Sequence, residues 1–162
     1  MDRLWSPWRY RYVSTASPSQ ECIFCAHAAS ADDRGNYVVL RAERNFVLLN
    51  LYPYTSGHLM IAPYEHVATL GEAHPDTLAE MMRLTRHAEQ ALRHVYHPGG
   101  LNIGMNLGEC AGAGVAGHIH MHVLPRWAGD VSFMTSVGET RVLPEDLGTT
   151  YDRLKKAFDG QA

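Results

Sequence analysis

Between Gly117 and Pro125 the chain reads His118-Ile119-His120-Met121-His122-Val123-Leu124, with polar and apolar residues in alternation. A repeat of two belongs to a β-strand, not a helix. Residues 118–124 are therefore expected to carry their histidines on one face and Ile119, Met121 and Val123 on the other. This one segment restricts the fold severely. Its apolar side needs a sheet and a covering layer, whereas three imidazoles cannot be buried in hydrocarbon without partners. The imidazole side must look into a site.

The remaining pattern supplies the sheet and its cover. Residues 37–41 and 45–51 read as strands joined by a charged turn at 42–44. A second turn at 53–57 leads to a third strand at 58–62. His74-Pro75-Asp76 looks like a helix start, with proline at the first helical position. Leu78, Met81, Met82, Thr85, Ala88, Leu92 and Val95 then recur at helical spacing, as a core stripe would. His97, Pro98, Gly99 and Gly100 close that helix. A further strand is expected at 101–107, and a last helix at 144–158 with Leu147, Tyr151, Leu154 and Phe158 on one face. Strands linked by short turns around one long helix argue for an α+β fold: an antiparallel sheet of about five strands, one long helix and a C-terminal helix.

A chain of 162 residues is one domain by size. Residues 1–20 read as an N-terminal arm and 21–162 as the single domain. The arm carries Trp5, Trp8, Arg9, Tyr10, Arg11 and Tyr12 ahead of a polar linker. Its aromatics are expected to pack on the domain or on a second subunit. It is too short to argue for stacking on nucleic acid. A net charge of −3, with Lys155 and Lys156 the only lysines, also speaks against a nucleic-acid partner. No apolar run approaches the roughly 18 residues of a membrane span. The N-terminus lacks the apolar core of a signal peptide, so a cytoplasmic protein is expected.

Three cysteines do not make a disulfide framework. Cys22-Ile23-Phe24-Cys25 is a spacing shared by zinc and redox sites, and no thioredoxin-like βαβ pattern surrounds it. Metal binding is favoured over the alternative of two small buried hydrophobes. Two more ligands are needed, and His27, His66 and His118 are available. Cys110 is read as incidental, a thiol open to oxidation. No organic cofactor is implied.

Three chemistries suit the histidine strand. It could supply ligands to a catalytic zinc, which needs a third ligand and an open position. It could hold a general base for a serine or cysteine nucleophile, but no nucleophile elbow occurs. Or a neutral imidazole could itself attack phosphorus, giving a phosphoramidate intermediate. The third gains from Asn106 and the glycine-rich stretch 108–117, whose backbone amides can cradle phosphate oxygens.

With Pro125-Arg126 after it, the strand is similar to the histidine triad (HIT) motif. Phe46-Val47-Leu48-Leu49-Asn50 and Ser56-Gly57-His58-Leu59-Met60-Ile61-Ala62-Pro63 resemble the family's paired strands, and the likeness runs over residues 37–130. The flanks Leu4-Trp5-Ser6-Pro7-Trp8-Arg9, Asn106-Leu107-Gly108, Pro125-Arg126-Trp127-Ala128-Gly129-Asp130 and Phe133-Met134 resemble the bacterial diadenosine tetraphosphate phosphorylase branch. The resemblance implies an enzyme of nucleotidyl transfer on dinucleoside polyphosphates, through a covalent nucleotidyl-histidine intermediate. Hydrolysis of such compounds or of adenylyl conjugates is the alternative, and a non-catalytic nucleotide-binding protein stands further off. It further implies a homodimer whose sheets join.

Carried over, the resemblance makes His120 the nucleophile and sets His122 and His58 on phosphate oxygens. Asn50 goes to the sugar and Asn106 to the phosphate chain. Phosphate donors are expected from the loop amides of Gly112, Gly114 and Gly117, and from Arg126. Likeness to the superfamily's galactose-phosphate uridylyltransferases implies a closed structural zinc site of Cys22, Cys25, His66 and His118.

Overall fold

The computed structural model describes residues 22–130 and 144–160, so the arm expected at residues 1–20 lies outside it, as does Phe133-Met134. Among the described residues three helices, α1 (Ile23–Ala29), α2 (Pro75–Tyr96) and α3 (Leu147–Asp159), accompany five strands. The strands are β1 (Val38–Arg41), β2 (Asn45–Leu49), β3 (Leu59–Pro63), β4 (Gly100–Gly104) and β5 (Met121–Arg126), and a 3-10 turn at Glu109–Ala111 precedes β5. They form one sheet in the order β1-β2-β3-β5-β4, antiparallel at every junction. This is the α+β fold that the alternation and the turn spacing imply.

Every residue of β2 and β3 is buried, because both faces of the sheet centre are covered. Val47, Leu49, Leu59 and Ile61 pack with Met81, Ala88 and Leu92 of α2 and with Leu154 and Phe158 of α3. On the opposite face Phe46, Leu48, Met60 and Ala62 join Phe24 of α1. Helix α2 begins as expected: Pro75 opens it, and the His74 side chain accepts the Asp76 N–H. Its buried face runs through Met81, Leu84, Thr85, Ala88, Ala91 and Leu92, whereas Met82, placed in the stripe from sequence, is 58% exposed. One residue is about 100° of helix, enough to turn that side chain outward. Helix α3 starts at Leu147, not at 144, because the Asp146 carboxylate takes the Thr149 N–H and sets the first turn.

The histidine segment departs from expectation in its pairing, not its alternation. Ladder bonding begins only at Met121; ahead of it the Ile119 N–H reaches the Val67 carbonyl at 2.8 Å. Ile119 and Val123 still enter the core beneath α2, and Phe24 lies against His118 and His120 on the other side. Strand β4 ends at Gly104, paired with His122, before the loop that holds Asn106. Among the described residues no helix is long and apolar enough to cross a membrane.

Candidate active site

His122 lies opposite Met60 of β3 and Gly104 of β4. Cross-strand partners share a face, so His122 points to the side of the sheet that Met60 and Phe24 occupy. His120 is 5% exposed, and its ring centroid lies 4.8 Å from those of Phe24 and His122. Its Nδ1 stands 2.8 Å from the backbone carbonyl of His118. A carbonyl only accepts, so Nδ1 carries the proton and Nε2 keeps its lone pair. Burial lowers the pKa of His120 from its ordinary value, while the bond to the His118 carbonyl raises it in part.

A chain of bonds also decides the tautomer of His122. The Tyr54 backbone N–H donates to His58 Nδ1 at 3.2 Å, which makes that atom an acceptor. The single proton of neutral His58 then sits on Nε2, which lies 2.9 Å from His122 Nδ1. His58 donates, His122 accepts, and His122 is left with its N–H at Nε2. The site thus holds an unprotonated Nε2 on His120 and an N–H on the adjacent ring. Burial pushes His58 down to about 3, aided by His122 and His120. Burial likewise pushes His122 down to about 4, aided by His120. Imidazoles at their ordinary 6.5 would let a charged helper coexist with a neutral nucleophile at pH 7. In this fold the neighbouring ring is neutral and offers an N–H instead of a charge.

Other expected site residues divide. His58 is 1% exposed with both ring nitrogens engaged, so it does not present a free ring nitrogen for the direct phosphate contact expected of it. Asn50 sits beside it: its Oδ1 accepts the Tyr52 N–H at 2.9 Å and its Nδ2 lies 3.3 Å from His58 Nδ1. Asn106 donates through Nδ2 to the Gly112 carbonyl at 3.3 Å and ties the glycine loop at its base. Gly108 and Gly112 take φ of +82° and +89°, which side chains other than hydrogen rarely allow. The Gly112 N–H is spent inside the loop on the Glu109 carbonyl at 2.8 Å, so it is not the spare phosphate donor expected of it. Gly114 is exposed, and a Cβ on Gly117 would stand 3.6 Å from His66 Nε2, closer to the cysteine cluster than expected of a phosphate cradle.

Arg126 belongs elsewhere. It is four residues along β5 from His122, about 13 Å at strand rise. Its guanidinium is held by Asp130 through two bonds of 2.5 and 2.9 Å, and by Asn102 at 2.7 Å. A shared strand face could not reveal those partners.

Behind the histidines lies a second cluster. Cys22, Cys25, His66 and His118 bring four donor atoms within 4.8 Å of one another. Sγ of Cys22 is 3.4 Å from His118 Nδ1, Sγ of Cys25 is 3.3 Å from His66 Nδ1, and the two Nδ1 atoms are 3.2 Å apart. Bonds of about 2.3 Å to sulfur and about 2.0 Å to nitrogen at tetrahedral angles give edges near 3.5 and 3.3 Å, so the set fits a four-coordinate ion. His118 Nε2 donates to the Pro63 carbonyl at 2.9 Å, which turns an unprotonated Nδ1 inward as a metal ligand requires. Of the histidines available from sequence, His27 stands outside this set. The His118 backbone holds the His120 ring, so the two clusters share a residue.

The sequence matches the HIT domain over residues 33–129. This covers more than half of the chain, which belongs to the HIT family. It is 39% identical over 160 residues to a Mycobacterium tuberculosis protein named AP-4-A phosphorylase, spanning 93% of this chain and 80% of that one. A Schizosaccharomyces pombe protein named asymmetrical bis(5'-nucleosyl)-tetraphosphatase is 31% identical over 98 residues, 60% of this chain and 53% of its own. Among solved structures, a Zn-bound histidine triad family protein from Mycobacterium smegmatis superposes with a TM-score of 0.71 at 30% identity. That match covers 88% of this chain and 96% of the other.

Proposed function

We propose that this protein is a diadenosine tetraphosphate phosphorylase in which His120 becomes covalently adenylylated. The observation that carries the chemistry is the bond from His120 Nδ1 to the His118 carbonyl, which leaves Nε2 unprotonated beside the His122 ring. His120 Nε2 attacks the α-phosphorus; the N–P bond forms as the P–O bond to the leaving ATP breaks. The His122 N–H supports charge on the phosphoryl oxygens. An oxygen of inorganic phosphate then attacks phosphorus, the N–P bond breaks, and ADP leaves with free His120. The balance is diadenosine tetraphosphate plus phosphate to ADP plus ATP, with a proton released near neutral pH. The 39% identity to the AP-4-A phosphorylase supports this substrate and acceptor. Hydrolysis, giving AMP and ATP, is the second reading, favoured by the likeness to the tetraphosphatase. Asn50 toward the sugar and Asn106 toward the phosphate chain complete the proposed contacts.

We also propose zinc at Cys22, Cys25, His66 and His118. A closed four-ligand set leaves no position for water and supplies structural fixation. A cytoplasmic homodimer is part of the same reading, supported by the exposed β4 edge of the sheet.

Mass spectrometry of the protein mixed with diadenosine tetraphosphate tests the nucleophile. The wild type should carry an adenylyl adduct. His120→Ala should stay folded, form none, and lose more than the ~10²–10³ in rate expected for one electrostatic contact. An adduct that persists in His120→Ala would sink the assignment.

A further inference from the structure

We propose that Asn50, by being an amide and not a carboxylate, sets the direction in which the His58–His122 pair passes its hydrogen bond. The proposal deepens the reading of His122 as an N–H donor to phosphate and rests on it. The orientation of the Asn50 amide is fixed by the backbone: Oδ1 accepts the Tyr52 N–H at 2.9 Å, so the group turned toward His58 is Nδ2. That NH₂ lies 3.3 Å from His58 Nδ1, where the Tyr54 N–H also arrives at 3.2 Å. Two donors converge on one ring nitrogen. The Asn50 N–H additionally binds the His58 carbonyl at 3.0 Å, closing the loop around the ring.

A neutral imidazole has one proton to place. With Nδ1 held as acceptor, it goes to Nε2 and is offered to His122 Nδ1 at 2.9 Å. His122 then presents N–H to the site. A carboxylate at position 50 would keep the bond from Tyr52 but place its other oxygen against His58 Nδ1. Its charge makes the stronger claim on a proton there than a backbone amide makes on the lone pair. His58 would carry its proton at Nδ1, and a neutral His58 would face His122 with a lone pair. His122 would then have to turn its own proton inward and show phosphate an acceptor. Burial holds His58 far below its ordinary pKa, so a second proton is not available to blur the choice. The remaining N–H and lone pair of Asn50 still allow contact with a sugar.

The experiment is long-range ¹H–¹⁵N correlation NMR on histidine-labelled full-length protein with its zinc and without nucleotide, at pH 8. In the wild type, His58 and His122 should each be protonated on Nε2 alone. In Asn50→Asp, His58 should gain a proton on Nδ1. A wild-type His58 protonated on Nδ1 overturns the proposal, even if the variant fails to fold; so does a His58 pattern unchanged in Asn50→Asp. With substrate, kcat of Asn50→Asp should fall on the order of 10²-fold. A loss confined to KM would leave Asn50 a sugar contact and overturn its role in directing the pair. The NMR reads the free protein, so it stands apart from the adduct experiment: a missing adduct with this tautomer pattern would fault the proposed function alone.

Discussion

Acid should destabilise the fold through His58 and His122, which resist protonation only while the chain stays folded. Their folded pKa values of about 3 and about 4 lie below the 6.5 of an unfolded chain. Between pH 6.5 and about 4 the unfolded chain binds protons that the folded one refuses. The stability these groups contribute is whole above 6.5 and drains as pH falls, at about 1.4 kcal/mol per pH unit for each histidine. Urea unfolding at pH 7.5 and 5 should show a smaller loss in His122→Gln than in the wild type; equal losses would contradict the buried neutral pair. The residues of this site were legible in the sequence to the extent that period two fixes a face. Alternation put His120 and His122 on one face, and the roles proposed for them came from the family resemblance. Arg126 and Gly112 were misread because their partners, Asp130, Asn102 and Glu109, are chosen by the fold and not by strand parity. The His58-to-His122 bond joins residues 64 apart and leaves no local trace.

Helix α1 shows what an element can owe to a cluster. It has seven residues, no side-chain cap at Cys22, no acid in its first turn and one buried residue, Phe24. A helix that short does not stand alone in water. Its three alanines favour a helix but are too few to announce one, and the sign read from the sequence was the C-x-x-C spacing. In the fold Cys22 and Cys25 lie against His66 and His118, and Phe24 lies on His118 and His120. Cys22→Ser should therefore lower zinc content and the melting temperature together. Each kcal/mol lost would appear as about 2–4 °C for a chain of this length, while the folded fraction still forms the His120 adduct. Elemental analysis finding no zinc in protein purified without chelator would end the zinc proposal, and an unchanged melting temperature would remove its structural role. The long elements were easier to read. Helix α2 kept its bounds because Pro75, the His74 cap and the apolar stripe agree. The strand ends shifted by a few residues, since ladder bonding depends on the neighbour, as at Ile119 and Val67.

For the whole molecule, the sheet ends at β4, where Ile103 is 45% exposed on an edge with no strand beyond it among the described residues. Such an edge invites pairing with another chain. Light scattering at micromolar concentration should give twice the chain mass, and a monomer would refute the dimer. In the proposed reaction the acceptor of the second step is also a property of the whole molecule, because a nucleotidyl-histidine can pass its group to water or to phosphate. A phosphorolytic enzyme must hold a second anion in line with the N–P bond after ATP departs. A chain of net charge −3 does not gather anions by its overall field, so local donors have to do so. Arg126 is committed to Asp130, which leaves the His122 N–H and amides of the loop before His118 as donors near the histidines among the described residues. Positioning of this kind lets phosphate at modest concentration outcompete water at its full concentration. Labelled inorganic phosphate distinguishes the two routes. In phosphorolysis the label becomes the β-phosphate of ADP, and the ADP yield rises and saturates with phosphate. In hydrolysis the partner of ATP is unlabelled AMP at every phosphate concentration. ADP carrying the label is the expected product, and AMP persisting at saturating phosphate would make this HIT-family protein a hydrolase.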